Sequence, residues 1–321
     1  MRAILFLGPR KIELVDDAPE PRIGQGEVLV RCSHIALCGT NMGPYLFDGR
    51  WGADIPRPPG WLGHENIGTI VESRAEGWPV GARVLAHPED YNGFAELIRS
   101  KPGGLARLPD GVDDVGQLVV AQPLATVLRA LELAGSVINQ RCAVVGQGPM
   151  GLIFTHQLGR MGARQVIAID PVGWRLRWSK RFGATDVVDS SREDAVEAVK
   201  RLTDGAKVDF CVEAVGQPES LALAAMLPRR LGRLMVFGVP HHDMQPFPWF
   251  HTVSNETQII TRMGPECMEF FQTAVDMIVQ GRCDLVDMVR PRLPWSRAAE
   301  AFEMYANPAA HEDSLKLTLV L

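Results

Sequence analysis

Apolar positions fall into two rhythms along the chain. Up to about residue 118 they come in short runs, Ala3 to Phe6, Val28 to Ile35, Glu65 to Val71, Arg83 to Ala86 and Phe94 to Ile98, divided by Gly-Pro, Pro-Arg and Gly-Ala turns. Runs of this length with little helical period predict a β-rich, barrel-like domain. From Ala121 the period changes. Leu124 to Ala134 reads as a helix, Cys142 to Val145 as a strand and Gly151 to Met161 as an apolar helix. Strands then alternate with helices: Gln165 to Ile169, Trp174 to Phe182, Asp186 to Val188, Arg192 to Leu202, Val208 to Val212, Pro218 to Leu227 and Arg233 to Phe237. That alternation predicts a parallel sheet built from βαβ units, the architecture of nucleotide-binding domains.

Glu266 to Gln280 and Ala298 to Tyr305 read as two further helices, and Leu315 to Leu321 alternates like a strand. A βα series has no place for that last strand, so it is expected to return to the first domain. The predicted division is 1–120 with 290–321 as one domain and 121–289 as the other, in line with a length of 321 residues. Apolar residues make up 46% and charged residues 22%, a globular composition. The net charge of -5, without a Lys/Arg run, disfavours nucleic acid or anionic membrane as a partner. Six cysteines without regular spacing, no span-length apolar run and a start that lacks a signal-like segment suggest free thiols and a soluble, cytoplasmic protein.

The most specific local signal is the turn Gly146-Gln-Gly148-Pro149-Met150-Gly151. It follows the strand Ala143-Val144-Val145 directly, opens a helix near Pro149, and is answered by Asp170 at the end of the next strand, 24 residues after Gly146. Glycines there allow a tight turn and close backbone approach, and the helix N-terminus offers N–H groups to a pyrophosphate. The acid accepts hydrogen bonds from ribose hydroxyls and repels a 2′-phosphate, which favours NAD(H) over NADP(H). Arg175 would soften that preference, and Asp170 alternatively reads as a capping residue ahead of Pro171. The loops Glu213-Ala214-Val215-Gly216 and Phe237-Gly238-Val239 each follow an apolar strand, where the ligand crevice of such a sheet lies. They are candidate nicotinamide contacts, or simply turns.

Cys38 in CGTN and His64-Glu65 in GHEN supply a thiolate, an imidazole and a carboxylate, the usual ligands of zinc. Either the Cys or the His alone would more often be a buried structural residue. The ordered series GEVLVRCSHIALCGTN, GWLGHENIGTIVE, GARVLAHPE, NGFAEL, AQPLATVLRAL, VVGQGPMGL, VDFCVEAVG, GRLMVFGV and KLTLVL, however, resembles the zinc-dependent medium-chain dehydrogenase/reductase family across nearly the whole chain. The resemblance implies a GroES-like β-barrel catalytic domain, a Rossmann doubly wound parallel sheet binding a nicotinamide cofactor, and an active site in the cleft between them. It further implies that Cys38 and His64 ligate a catalytic zinc, that Glu65 is a ligand or one step outside, and that Thr40 receives the substrate's proton. A homodimer or homotetramer, with contacts from Trp249 to Arg262, is implied in the same way.

Three departures from the family pattern stand out. Gln122, a neutral oxygen donor, occupies the position of the usual acidic or cysteine ligand. The chain passes from Ala86 through His87 to Tyr91 straight to Gly93, without the four clustered cysteines of a structural zinc lobe, so one Zn2+ per subunit is expected. Asn41 and Gly43 stand where many relatives have Asp and His, so the proton from Thr40 would leave through ribose hydroxyls and water; His34 and His87 are unplaced.

The loop from Met42 to Trp61, with Tyr45, Phe47 and Trp51, is expected to wall the substrate site, its aromatics either stacking on a sugar ring or packing the domain edge. Asn41, Asn66 and Glu89 favour a hydroxyl-rich substrate. The leading reading is therefore zinc-dependent hydride transfer between NAD(H) and a secondary alcohol or ketone of a polyol, sugar or cyclitol. A zinc-free NADPH-dependent quinone or enone reductase and a catalytically silent nucleotide-binding protein are the alternatives.

Overall fold

The computed structural model describes residues 1–46, 57–240, 243–262 and 265–321, which separate into two compact units. The first comprises Met1–Thr126 with Pro265–Leu321, and the second Val127–Gly264.

The chain opens on a hairpin, β1 (Ala3–Gly8) with β2 (Lys11–Val15), then continues through β3 (Val28–Ala36), a short α1 (Met42–Leu46), β4 (Asn66–Ser73), β5 (Arg83–Ala86), β6 (Leu97–Ser100) and β7 (Leu105–Arg107). No residue of β2 is buried, so it has no apolar run, and sequence patterning passes over it. α2 (Ala121–Leu131) leads into the second unit.

That unit contains β8 (Arg141–Val145), α3 (Pro149–Arg160), β9 (Gln165–Asp170), α4 (Gly173–Arg181), β10 (Asp186–Asp189), α5 (Ala195–Leu202), β11 (Val208–Glu213), α6 (Pro218–Met226), β12 (Pro228–Val236), α7 (Trp249–Ser254) and β13 (Gln258–Thr261). Its six strands are all parallel in the order β10-β9-β8-β11-β12-β13. Successive strands are therefore added to one side of β8 as far as β10 and to its other side from β11 onward, and such sheets bind ligands where this change of side occurs. Apolar side chains of β8, β9 and β11, among them Ala143, Val145, Ile167, Ile169 and Cys211, are buried with Ala198 and Val199 of α5 and Ala224 of α6.

The chain then returns to the first unit with α8 (Phe271–Val279), β14 (Arg292–Pro294), α9 (Ala298–Ala306) and β15 (Thr318–Val320). Residues 265–289 thus lie with the first unit, not with the parallel sheet as the sequence division has it. The tie is local: Gln272 of α8 accepts from Arg107 N at 2.8 Å and donates to Arg107 O at 3.3 Å, adding its amide to the free edge of β7. The expected helix from Glu266 begins only at Phe271, after a 3₁₀ segment Pro265–Phe270.

β3 is the hub of the first unit's sheet, paired antiparallel with β4, β6 and β15; β14 lies outside β15, and β5 then β7 outside β4. Its core gathers Ile4, Phe6, Val30, Tyr45, Phe94, Phe302 and Leu317. Phe302 meets Phe6 and Phe94 edge-on at 5.5 and 5.4 Å, a ring geometry favoured by the aromatic quadrupole. This packing fixes the end of β3 and the start of β4, from which the chemistry-bearing residues emerge.

Candidate functional site

Cys38 follows β3 by two residues and opens a 3₁₀ turn, Gly39–Asn41. Asn41, fully buried, accepts from Cys38 N at 2.7 Å and donates to Leu62 O at 3.1 Å. It therefore stitches the Cys38 turn to the loop that carries His64. Glu65 immediately precedes β4, and its carbonyl accepts from Ala36 N at 3.0 Å. The result is that Cys38, His64 and Glu65 place their ligand atoms within 4.8 Å of one another.

His64 Nδ1 lies 2.9 Å from Leu62 O. A carbonyl can only accept, so Nδ1 donates to it and Nε2 is the ring nitrogen left for a metal. Glu65 is fully buried and meets Lys316, 1% exposed, whose Nζ lies 2.6 Å from Oε1 and 2.5 Å from Oε2. The alignment serves Oε1; Oε2 is left without a hydrogen bond of full geometry. Lys316 also donates to Leu37 O at 2.9 Å, so both partners of this ion pair are tied into the end of β3.

These neighbours decide the charges. Burial opposes ionisation of Cys38, but the hydrogen bond and charge of His64, with Lys316 and Thr40, outweigh it and bring the thiol down to about 5. Thr40 Oγ1 itself is buried and makes no well-formed hydrogen bond. Burial likewise disfavours the His64 cation, yet Cys38 and Glu65 more than compensate and raise it. Glu65 is pushed up to about 7, burial first and Cys38 as well, against the pull of Lys316. A soft thiolate, an oriented imidazole and a carboxylate oxygen without a bond of its own are a donor set that suits zinc.

Gln122 is buried on the first turn of α2, and its amide nitrogen points weakly at Cys267 Sγ, 3.9 Å away, which also accepts from Thr126 at 3.2 Å. Of the two unplaced histidines, His87 lies beside the cluster, its ring 6.4 Å from that of His64 and edge-on to Tyr91 at 4.7 Å. Burial and the nearby His64 push His87 down to about 4. His34 lies elsewhere, packed so closely on Gly116 that a Cβ there would sit 2.4 Å from its Nε2.

The expected polar wall for a substrate is largely spoken for. Asn41 holds the Cys38 turn as described. Asn66 is fully buried and donates to Gly93 O at 2.7 Å, while Glu89 is paired with Lys101 at 2.5 Å. Tyr45 is core, not a stacking platform: it is 1% exposed, lies 5.1 Å from the Phe302 ring, and donates to Glu303, which Arg10 holds at 2.6 Å. Phe47 and Trp51 lie outside the described residues.

In the second unit the glycine turn takes the form its spacing predicts. Gly146 has φ +89°, Gly148 is the N-cap of α3, Pro149 is its first residue, and Met150 follows. A Cβ on Gly151 would lie 1.8 Å from Gly146 O, so only glycine lets the helix start this close to the strand end. Gln147 faces inward, accepting from Thr155 and Ser179 at 3.0 and 2.9 Å and so tying the turn to α3 and α4. Asp170, buried at the end of β9, accepts from Gln147 N at 2.6 Å and Val172 N at 2.8 Å, with Arg175 Nη1 3.7 Å away. Its carboxylate thus braces the glycine turn, while Val172, not Asp170, is the N-cap of α4.

Sequence reasoning missed two residues here. Lys316 carries no local signal, being 251 positions from its partner Glu65. Glu213 was visible only as the start of a loop; a carboxylate ending an otherwise apolar strand was the available sign.

Residues 24–110 match the alcohol dehydrogenase GroES-like domain, and residues 149–280 match the zinc-binding dehydrogenase domain. An alcohol dehydrogenase of Cupriavidus necator is 27% identical over 96% of this chain and 95% of its own length. A sorbitol dehydrogenase of Bacillus subtilis is 26% identical over 94% and 93%. The solved alcohol dehydrogenase of Thermus sp. ATN1 superposes with a TM-score of 0.85 at 23% identity, covering 100% of this chain and 99% of that one.

Proposed function

Because the chain belongs to the zinc-type medium-chain dehydrogenases, we propose that it transfers a hydride between NAD(H) and a secondary alcohol or ketone of the polyol, sugar or cyclitol class. The observation that carries this reading is the meeting of Cys38, His64 and Glu65 ligand atoms within 4.8 Å. Those three residues would hold one zinc ion, with Gln122 as a further oxygen donor. When bound, zinc supplies a Lewis acid at the substrate oxygen and NAD supplies the hydride acceptor.

The chain's own residues provide the rest. Cys38 contributes a thiolate, and His64 presents Nε2 because Leu62 O holds the Nδ1 proton. Thr40 Oγ1, with no strong partner of its own to give up, takes the proton of the alcohol as it passes its own hydroxyl proton on to the ribose hydroxyls and water. The turn from Gly146 to Gly151 receives the pyrophosphate on the N-terminus of α3. Asp170 keeps lone pairs beyond its bonds to Gln147 N and Val172 N for a ribose hydroxyl, and its negative charge disfavours a 2′-phosphate. The polyol class rests on the sorbitol dehydrogenase relative, since Asn41, Asn66 and Glu89 already have partners. Trp249 and Phe250 of α7, 62% and 88% exposed, support self-association of the chain.

Metal analysis of the wild type against Cys38→Ala, with a polyol and sugar panel assayed for reduction of NAD and NADP at alkaline pH, tests the reading. Stoichiometric zinc lost in the variant and turnover with NAD support it. Equal, substoichiometric zinc in both proteins sinks the metal site, and oxidation of NADPH by added quinones or enones points to the zinc-free alternative.

A further inference from the structure

Glu213, the last residue of β11, exposes none of its surface. Its Oε1 accepts three hydrogen bonds, from Val215 N at 2.8 Å, Gly216 N at 2.9 Å and Ser220 Oγ at 2.7 Å. Its backbone carbonyl accepts two more, from Phe237 N at 2.9 Å and Gly238 N at 3.0 Å. One residue therefore holds the loop after β11 with its side chain and the loop after β12 with its main chain. Its Oε2 has no hydrogen-bond partner and is closed over by Gly238, where a Cβ would lie 2.5 Å from it.

The two loops are pressed together as only glycines allow. A Cβ on Gly216 would lie 2.3 Å from Val239 O, and one on Gly238 would lie 2.1 Å from Gly216 N. The third strand-end loop joins them: Val215 Cγ2 would lie 2.3 Å from a Cβ on Gly146. Yet Val215 is 41% exposed, so it stands on this glycine floor and faces outward. A buried carboxyl with one empty oxygen is an expensive way to fill a core. Its five hydrogen bonds make sense as the device that fixes the height and tilt of Val215 and of the Phe237–Val239 loop.

The place of those loops in the sheet says what they serve. Asp170 lies on β9, to one side of the glycine turn of β8, and the β11 and β12 loops lie on the other. A dinucleotide whose pyrophosphate sits at the β8 turn and whose adenosine ribose reaches Asp170 must extend its nicotinamide over β11 and β12. Resting on the dinucleotide reading above, we propose that Glu213 is a positioning residue for the nicotinamide end of the cofactor. It clamps the platform on which the ring rests and touches neither ring nor substrate.

The test is direct binding of two probes, NADH and ADP-ribose, to wild type, Glu213→Ala, Glu213→Asp and Glu213→Gln, by calorimetric titration without substrate. ADP-ribose lacks the nicotinamide, so it reads only the β8 and β9 half and also reports that each variant is folded. If loss of the clamp leaves the platform competent about one tenth of the time, the Kd for NADH rises about tenfold while that for ADP-ribose moves less than about twofold. Asp, one methylene short, behaves like Ala. Gln can keep an oxygen on the same three donors and brings NADH binding back to within about threefold of wild type, since the competent state is repopulated. Equal weakening of both probes in Ala and Asp, no weakening of either, or a Gln variant no better than Ala overturns the proposal. Failure of wild type to bind ADP-ribose at all overturns the dinucleotide reading itself.

Discussion

Replacing Lys316 by methionine removes the cation that faces Glu65 while keeping most of the aliphatic stem. Both residues are buried, so the carboxylate left behind has no water to turn to, and an orphaned buried charge costs roughly 3–5 kcal/mol if it must stay ionised. It need not stay ionised. Glu65 already sits at about 7 in the intact protein, and losing Lys316 drives it higher still. The extra cost is then the cost of keeping the proton, and its sign follows from linkage. A carboxyl whose folded-state affinity for protons exceeds its unfolded one contributes stability at low pH and loses it as pH rises through the folded value. Below about pH 6 both proteins carry a protonated Glu65, so the variant loses the Lys316 hydrogen bonds to Leu37 O and to the neutral carboxyl, together about 1–2 kcal/mol. Above about pH 7 the loss grows by ~1.4 kcal/mol per pH unit, reaching roughly 4 kcal/mol at about pH 9. Denaturant unfolding of the chelated, metal-free proteins across this range gives the curve, with Glu65→Gln/Lys316→Met as the paired control, whose loss should be small and flat. A loss that does not change with pH, or a double variant no more stable than the single at about pH 9, refutes the reasoning.

Gly151→Ala should lower stability by about 2–3 kcal/mol and abolish measurable ADP-ribose binding, because its Cβ would meet the backbone oxygen of Gly146 at 1.8 Å with no flexible side chain to yield; calorimetry on the variant decides. Asp170→Ser removes the buried anion and should raise the ratio of NADP to NAD kcat/KM by about tenfold or more. An unchanged ratio would mean that selectivity resides elsewhere, with Arg175 the first place to look. Tyr45→Phe should cost about 1 kcal/mol through its lost bond to Glu303 and leave every substrate KM unaltered; a KM change confined to sugars would return Tyr45 to the substrate wall.

Much of the fold was readable because the signals are local. The strand-turn-helix around Gly146, the alternating elements that follow and the short runs before residue 118 each announce themselves within a dozen residues. What escaped did so for physical reasons. β2 is a strand without a buried face, held only by pairing with β1. α8 resembles any amphipathic helix, and its assignment depends on Gln272 reaching Arg107, 165 residues away in sequence. The polar residues Asn41 and Asn66 looked available because composition does not reveal that buried amides are already satisfied.

The candidate site divides along the same line, and its hidden part changes the chemistry. CGTN and GHEN are compact motifs, so Cys38, His64 and Glu65 could be nominated from sequence alone, and on that basis the proposed site holds two anions with a neutral Gln122. Lys316, drawn in by the pairing of β15 with β3, alters the sum. Its ammonium is within 2.6 Å of both Glu65 oxygens, and the pair is sealed from solvent, where neighbouring charges act at low effective dielectric. Glu65 therefore presents little net charge, and among the proposed ligands the thiolate of Cys38 is left to bring the negative charge. A dication held there would be less neutralised than the ligand list suggests, and it would polarise an alcohol oxygen more strongly. The neutral amide at position 122 and the buried lysine at 316 act in the same direction.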